Sequence, residues 1–129
     1  MKVKIQNFHQ GELACPCCGA QKITVEALTR LQCLRDLLGF ALPVASGFRC
    51  HNHNKVIGGA SSSKHLLGLA FDIKTTRMSA ARKHKLLKIG GQLFSGVGVY
   101  DKHIHLDSRK SPAFGWEGQS SHNTLPNNT

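Results

Sequence analysis

The chain has 129 residues, 40% hydrophobic and 19% charged, which suits one globular domain with a modest core and excludes a disordered polymer. Seventeen Lys and Arg against seven Asp and Glu give a net charge of +10, a field that favours acidic partners such as nucleic acid, anionic lipid or an anionic wall polymer. No apolar run reaches the roughly 20 residues that a membrane-spanning helix needs, and an aromatic content of 6% offers no base-stacking platform.

The first residues, Met1-Lys2-Val3-Lys4-Ile5, are charged and lack the apolar stretch of a secretory signal, so synthesis in the cytoplasm without a leader is expected. Residues 1–23 read as an irregular arm anchored to the core by Phe8. Within it, Cys15-Pro16-Cys17-Cys18-Gly19 holds a Cys-x-x-Cys-Gly knuckle of the kind that binds structural zinc. The five cysteines, at 15, 17, 18, 33 and 50, cannot all pair within one chain. Three readings are open: a structural zinc on Cys15, Cys18 and a distant Cys; one disulfide from the cluster to Cys50; or reduced, partly buried thiols. A second knuckle is missing, because Cys33 and Cys50 stand apart, and the reduced thiols are the preferred reading.

Thr24 is a good N-cap, Glu26 lies in the first turn, and Leu28, Leu31, Leu34, Leu37 and Leu38 recur at helical spacing up to Gly39, so a helix is expected over 24–38. Leu42 to Phe48 reads as a short strand running into a turn. Residues 50–64 read as loop, with His51-Asn52-His53-Asn54 as a turn in which Asn54 bonds local backbone. A buried strand follows at Leu69–Ile73, then a basic helix from Ser79 to Ile89 ended by Gly90-Gly91. Gly96 to Tyr100 and His103 to Asp107 read as two strands of a tight hairpin, with Asp101-Lys102 between them. The expected fold is α+β, a small, mainly antiparallel sheet packed against helices, with one domain over 1–119 and a fraying polar tail over 120–129.

The chemistry concentrates in two strings, Ser63-Lys64-His65-Leu66-Leu67-Gly68-Leu69-Ala70-Phe71-Asp72 and His103-Ile104-His105-Leu106-Asp107. Side chains at i and i+2 of a strand share a face, so His103, His105 and Asp107 point together while Ile104 and Leu106 point away. The apolar side is expected to meet a helix, leaving the His face open. Asp72, between Phe71 and Ile73, is costly to bury unless it is paired or binds a metal. Two His and a carboxylate form a common catalytic zinc set, which leaves a fourth position for water. Arg49 closes the strand before the long loop, and its guanidinium is suited to gripping a carboxylate or a carbonyl oxygen.

These residues, with Leu31-Gln32-Cys33-Leu34-Arg35-Asp36, Ser46-Gly47-Phe48-Arg49-Cys50, His53-Asn54-Lys55-Val56-Ile57-Gly58-Gly59 and Gly96-Val97-Gly98-Val99-Tyr100, carry a resemblance. The chain resembles the zinc D-alanyl-D-alanine carboxypeptidase family of peptidoglycan peptidases, which shares its fold with the hedgehog signalling domain and with several phage endolysins. The resemblance runs from about Phe8 to Trp116. It implies one catalytic zinc held by His65, Asp72 and His105, with His103 as catalytic His. It implies Arg49, together with Ser63, at the substrate, and an aromatic near the cleft at Trp116. The implied reaction is hydrolysis of a peptide bond in the peptidoglycan stem, by a carboxypeptidase or an endopeptidase acting as a monomer at the bacterial cell wall. Many relatives place an acid three residues before the last ligand, where this chain has Lys102; His103 then takes the proton, with Asp101 as the alternative base. Two other functions stay open: a non-catalytic zinc-binding module of the same fold, and a basic nucleic-acid-binding protein, against which stands the lack of a helix with a basic recognition face.

Overall fold

The computed structural model describes residues 5–110 and 114–117, and the tail over 120–129 lies outside the described residues. In chain order the elements are α1 (Gln10–Leu13), α2 (Val25–Leu38), β1 (Val44–Ser46), α3 (His51–Val56), a 3-10 turn (Lys64–Leu67), β2 (Ala70–Lys74), α4 (Ala80–Leu93), β3 (Gly96–Val99), β4 (His103–Asp107) and β5 (Phe114–Glu117). The strands form one sheet in the order β1-β2-β4-β3-β5, antiparallel throughout except where β5 runs parallel to β3. The molecule therefore has the α+β architecture that its sequence leads one to expect.

Helix α2 forms where its local signals place it. Thr24 Oγ1 accepts the Ala27 N–H at 3.1 Å, and Gly39, at φ 76°, closes the last turn. Its buried stripe passes through Leu31, Leu34 and Leu38, and clusters with Phe71 and Ile73 of β2, Leu86 of α4, and Ile104 and Leu106 of β4. Leu37, counted with that stripe in the sequence, is exposed, because it sits about 100° around the helix from Leu38. Phe8 anchors the N-terminal arm in this core as expected.

Four local expectations are corrected. The arm is not wholly irregular, since α1 forms within it. The segment expected to be a turn at His51–Asn54 is the body of α3: Cys50 Sγ accepts the His53 N–H at 3.4 Å, and Asn54 turns inward to donate to the Ala60 carbonyl at 2.9 Å. Gly90-Gly91 does not end α4, which continues to Leu93. Gly90 is buried, and a methyl group there would stand 3.2 Å from Leu106 Cδ2, so this glycine serves the close approach of helix and sheet. Strand β5 was not anticipated.

The hairpin does form, with Val99 opposite Ile104 and the Tyr100 N–H donating to the His103 carbonyl at 2.9 Å across Asp101-Lys102. Across the β2–β4 ladder Asp72 lies opposite His105, and Lys74 lies opposite His103. The apolar side of these strands meets the helices, but the His side is covered as well. His105 and Asp107 are wholly buried, the former against the Trp116 ring of β5. Only His103, at the start of β4, keeps 16% of its side chain exposed. The glycines of β3 make that cover fit: a methyl at Gly96 would overlap the Asp107 carboxylate, and one at Gly98 would overlap the Trp116 indole.

Leu34 and Leu37 therefore separate the true stripe from the apparent one. Leu34→Ala is expected to lower stability by about 2–5 kcal/mol, and Leu37→Ala to change it by no more than about 0.5 kcal/mol, both read from denaturant midpoints; equal losses would contradict the packing described.

Candidate metal centre

Three acceptor atoms converge between β2, β4 and the 3-10 turn. His65 Nε2 lies 3.2 Å and His105 Nδ1 lies 3.1 Å from the same oxygen, Asp72 Oδ1. The ligating atoms of the three residues lie within 4.8 Å of one another, and all three side chains are buried.

The bonds made by the outer atoms decide which atoms face inward. His65 Nδ1 lies 2.8 Å from the Gly47 carbonyl. A carbonyl only accepts, so Nδ1 carries the proton and Nε2 presents its lone pair to Asp72. His105 Nε2 lies 2.7 Å from Asp107 Oδ2, so Nε2 carries the proton and Nδ1 turns its lone pair inward. Asp107 is in turn clamped by Arg109, through Nε at 2.8 Å and Nη2 at 2.7 Å. Asp72 keeps Oδ1 for the centre while its Oδ2 accepts from Arg49 Nη2 at 3.2 Å. Arg49 thus fixes the orientation of the Asp72 carboxylate from outside the centre.

This arrangement fits a zinc ion. Ligand atoms at about 2.0–2.2 Å from a tetrahedral ion stand about 3.3–3.5 Å apart, close to the 3.1 and 3.2 Å found around Asp72 Oδ1. A carboxylate facing two ring lone pairs is repulsive without a cation or proton between them, and each ligand has the outer hydrogen bond that orients metal-binding His and Asp. Burial lowers the His65 pKa and so favours the neutral ligand form. Burial also opposes charge on His105, but the carboxylates of Asp107 and Asp72 raise its pKa overall. For Asp72 burial acts upward, yet a proton on the inward nitrogen of either adjacent imidazole, which a cation at the centre would replace, holds its carboxyl well below the usual range.

The other expected residues fall around this centre. His103 Nε2 stands 3.9 Å from Asp72 Oδ1, and its ring stacks on Tyr100 with 4.5 Å between centroids. Trp116 lies beside His105 at 5.2 Å between centroids and donates from Nε1 to the Tyr100 hydroxyl at 2.9 Å. Arg49, expected at the substrate, is buried; besides Asp72 it donates to Ser46 Oγ and to Asn54 Oδ1, each at 3.2 Å. Ser63 is buried as well, and its Oγ accepts the His65 N–H at 3.2 Å, capping the 3-10 turn. Asp101 and Lys102 stand exposed in the hairpin turn. Sequence reasoning did not foresee Ser46, Gly47 and Asn54 as supports of the centre; a Ser-Gly-x-Arg string with an inward Asn five residues on was the available signal. Tyr100 was likewise unassigned, though its place before the hairpin turn set it beside His103.

Among the described residues, no helix is long and apolar enough to cross a membrane. No curated protein matches the chain. The family model described as Peptidase M15 matches residues 4–107, a span that contains His65, Asp72, His103 and His105. With a buried His-Asp-His centre inside a match that covers most of its length, this chain belongs to the peptidase M15 family of zinc-dependent metallopeptidases.

Proposed function

We propose that this metallopeptidase hydrolyses a peptide bond in the stem peptide of peptidoglycan, as a D,D-carboxypeptidase or an endopeptidase acting at the bacterial cell wall. The observation that carries the reading is the junction of three buried, inward-turned acceptors with a partly exposed His103 beside them. The net charge of +10 supports adherence to an anionic wall.

Zinc, when bound by His65, Asp72 and His105, supplies a water of lowered pKa and polarises the scissile carbonyl. The chain's own residues do the rest. His103 is the group next to the centre that meets solvent; its imidazole takes the proton of the attacking water and returns it to the leaving amine. Stacking on Tyr100, itself held by Trp116, fixes the ring for that transfer. Asp101 is the alternative base, at the exposed turn. Arg49 and Ser63 act here through the ligands they hold, Asp72 and His65. A non-catalytic zinc module is the second reading, favoured by Lys102 at the position where relatives carry an acid.

Mass spectrometry of muropeptides after incubation with zinc-loaded protein is expected to show release of a terminal D-alanine or cleavage within the stem, abolished by a chelator. Zinc bound with no fragment released would instead support the non-catalytic module. His103→Ala is expected to lower kcat by about 10²–10⁴-fold while metal content is retained; unchanged wall hydrolysis would transfer the base to Asp101. Asp107→Asn leaves the fold's cover in place but removes the charge that orients His105, and should weaken zinc binding about 10–100-fold in a competition titration with a chromogenic chelator.

A further inference from the structure

A second cluster lies at the other end of the segment that supports the first. Cys15, Cys17 and Cys18 from the N-terminal arm meet Cys50, at the start of α3, with all four Sγ atoms within 4.8 Å of one another. The sulfur separations are 3.3 Å for Cys17–Cys50, 3.6 Å for Cys15–Cys50 and 3.7 Å for Cys15–Cys17. From these positions we infer that Cys15, Cys17, Cys18 and Cys50 form a structural site for a thiophilic divalent cation, zinc by its tetrahedral preference.

Four sulfurs at about 2.3 Å from a tetrahedral zinc stand about 3.8 Å apart, and the three separations above lie within half an ångström of that value. A disulfide, by contrast, joins two sulfurs at about 2.0 Å and leaves the remaining pair without a function. The backbone is shaped as a metal knuckle: the Gly19 N–H returns to the Cys15 carbonyl at 2.8 Å, with Gly19 at φ 75°. Backbone donors also point at sulfur, from the Cys50 N–H to Cys15 Sγ at 3.5 Å and from the His53 N–H to Cys50 Sγ at 3.4 Å, as a tetrathiolate with excess negative charge requires. Metal binding sends the thiol protons to solvent and forms four Zn–S bonds, with no change of oxidation state. Cys33, on α2, is outside the cluster.

The site would fasten the arm over the catalytic scaffold. The Phe48 N–H donates to the Leu13 carbonyl at 2.9 Å, and Gly47 passes so close that a methyl group there would stand 2.6 Å from the Leu13 oxygen. Gly47 orients His65, Arg49 holds Asp72, and Cys50 follows directly. The bound ion thus ties down the residues on which the His-Asp-His centre rests.

The test uses the full chain with the first centre removed, His65→Ala with His105→Ala, so that its result is independent of the peptidase reading. This variant should retain about one zinc per chain by elemental analysis, and its cobalt-substituted form should show sulfur-to-metal charge-transfer absorption. Adding Cys18→Ser should release that zinc or weaken its retention at least tenfold, whereas adding Cys33→Ser should not. Because loss of a structural metal is coupled to loss of fold, the cobalt spectrum of the parent variant decides alone. Absence of charge transfer, loss of all zinc with the two histidines, or a disulfide among the four cysteines in non-reducing peptide mapping would overturn the inference.

Discussion

A carboxylate that is 5% exposed and flanked in the strand by Phe71 and Ile73 must be compensated, and the surroundings of Asp72 follow from that requirement. One oxygen is bound by Arg49, and the other faces two imidazole nitrogens whose lone pairs are turned inward by Gly47 and Asp107. Each of these contacts comes from a different element. The β2–β4 register sets His105 opposite Asp72, the 3-10 turn brings back His65, and the strand end after β1 delivers Arg49. The glycines of β3 clear the space in which Asp107 and Trp116 cover the centre. Remove the carboxylate and the centre loses one of its three candidate ligand atoms, while Arg49 becomes a buried charge without its ionic partner.

Much of this was legible in the sequence where the signal is local. Thr24 and Gly39 delimit α2 because capping is decided within one turn of chain. Alternation in the strand placed His103, His105 and Asp107 on one face because that geometry holds for any strand. The misread elements are those settled by contacts from far along the chain. His51–Asn54 has no apolar period, and its helix depends on Asn54 reaching Arg49 and Ala60. Gly90-Gly91 carries a stop signal that packing against Leu106 overrides. The expected openness of the His face failed because β5, outside any foreseen element, closes over it.

The supports of the centre were hidden for the same reason. Arg49 carries chemistry suited to a substrate carboxylate, and only its burial and its bond to Asp72 Oδ2 show that an internal carboxylate is what it grips. The sulfur cluster draws Cys50 from 35 residues beyond Cys15, so a search for paired knuckles finds half of it. Residues 46–50 are the common element: one carbonyl, one guanidinium and one thiol from five consecutive positions serve two sets of ligands. In a metallopeptidase of modest size such a shared strut adds rigidity at the centre to the anchorage that Phe8 and Leu13 give the terminal arm.

The proposed centre places zinc on His65 Nε2, Asp72 Oδ1 and His105 Nδ1, with Arg49 on the other oxygen of the carboxylate. A crystal structure of the zinc-loaded protein, with anomalous diffraction recorded at the zinc edge, tests it most directly. An anomalous peak is expected at about 2.0–2.2 Å from those three atoms, with Arg49 still bonded to Asp72 Oδ2. A peak bonded instead to His105 Nε2, or no peak among the three side chains, would contradict it.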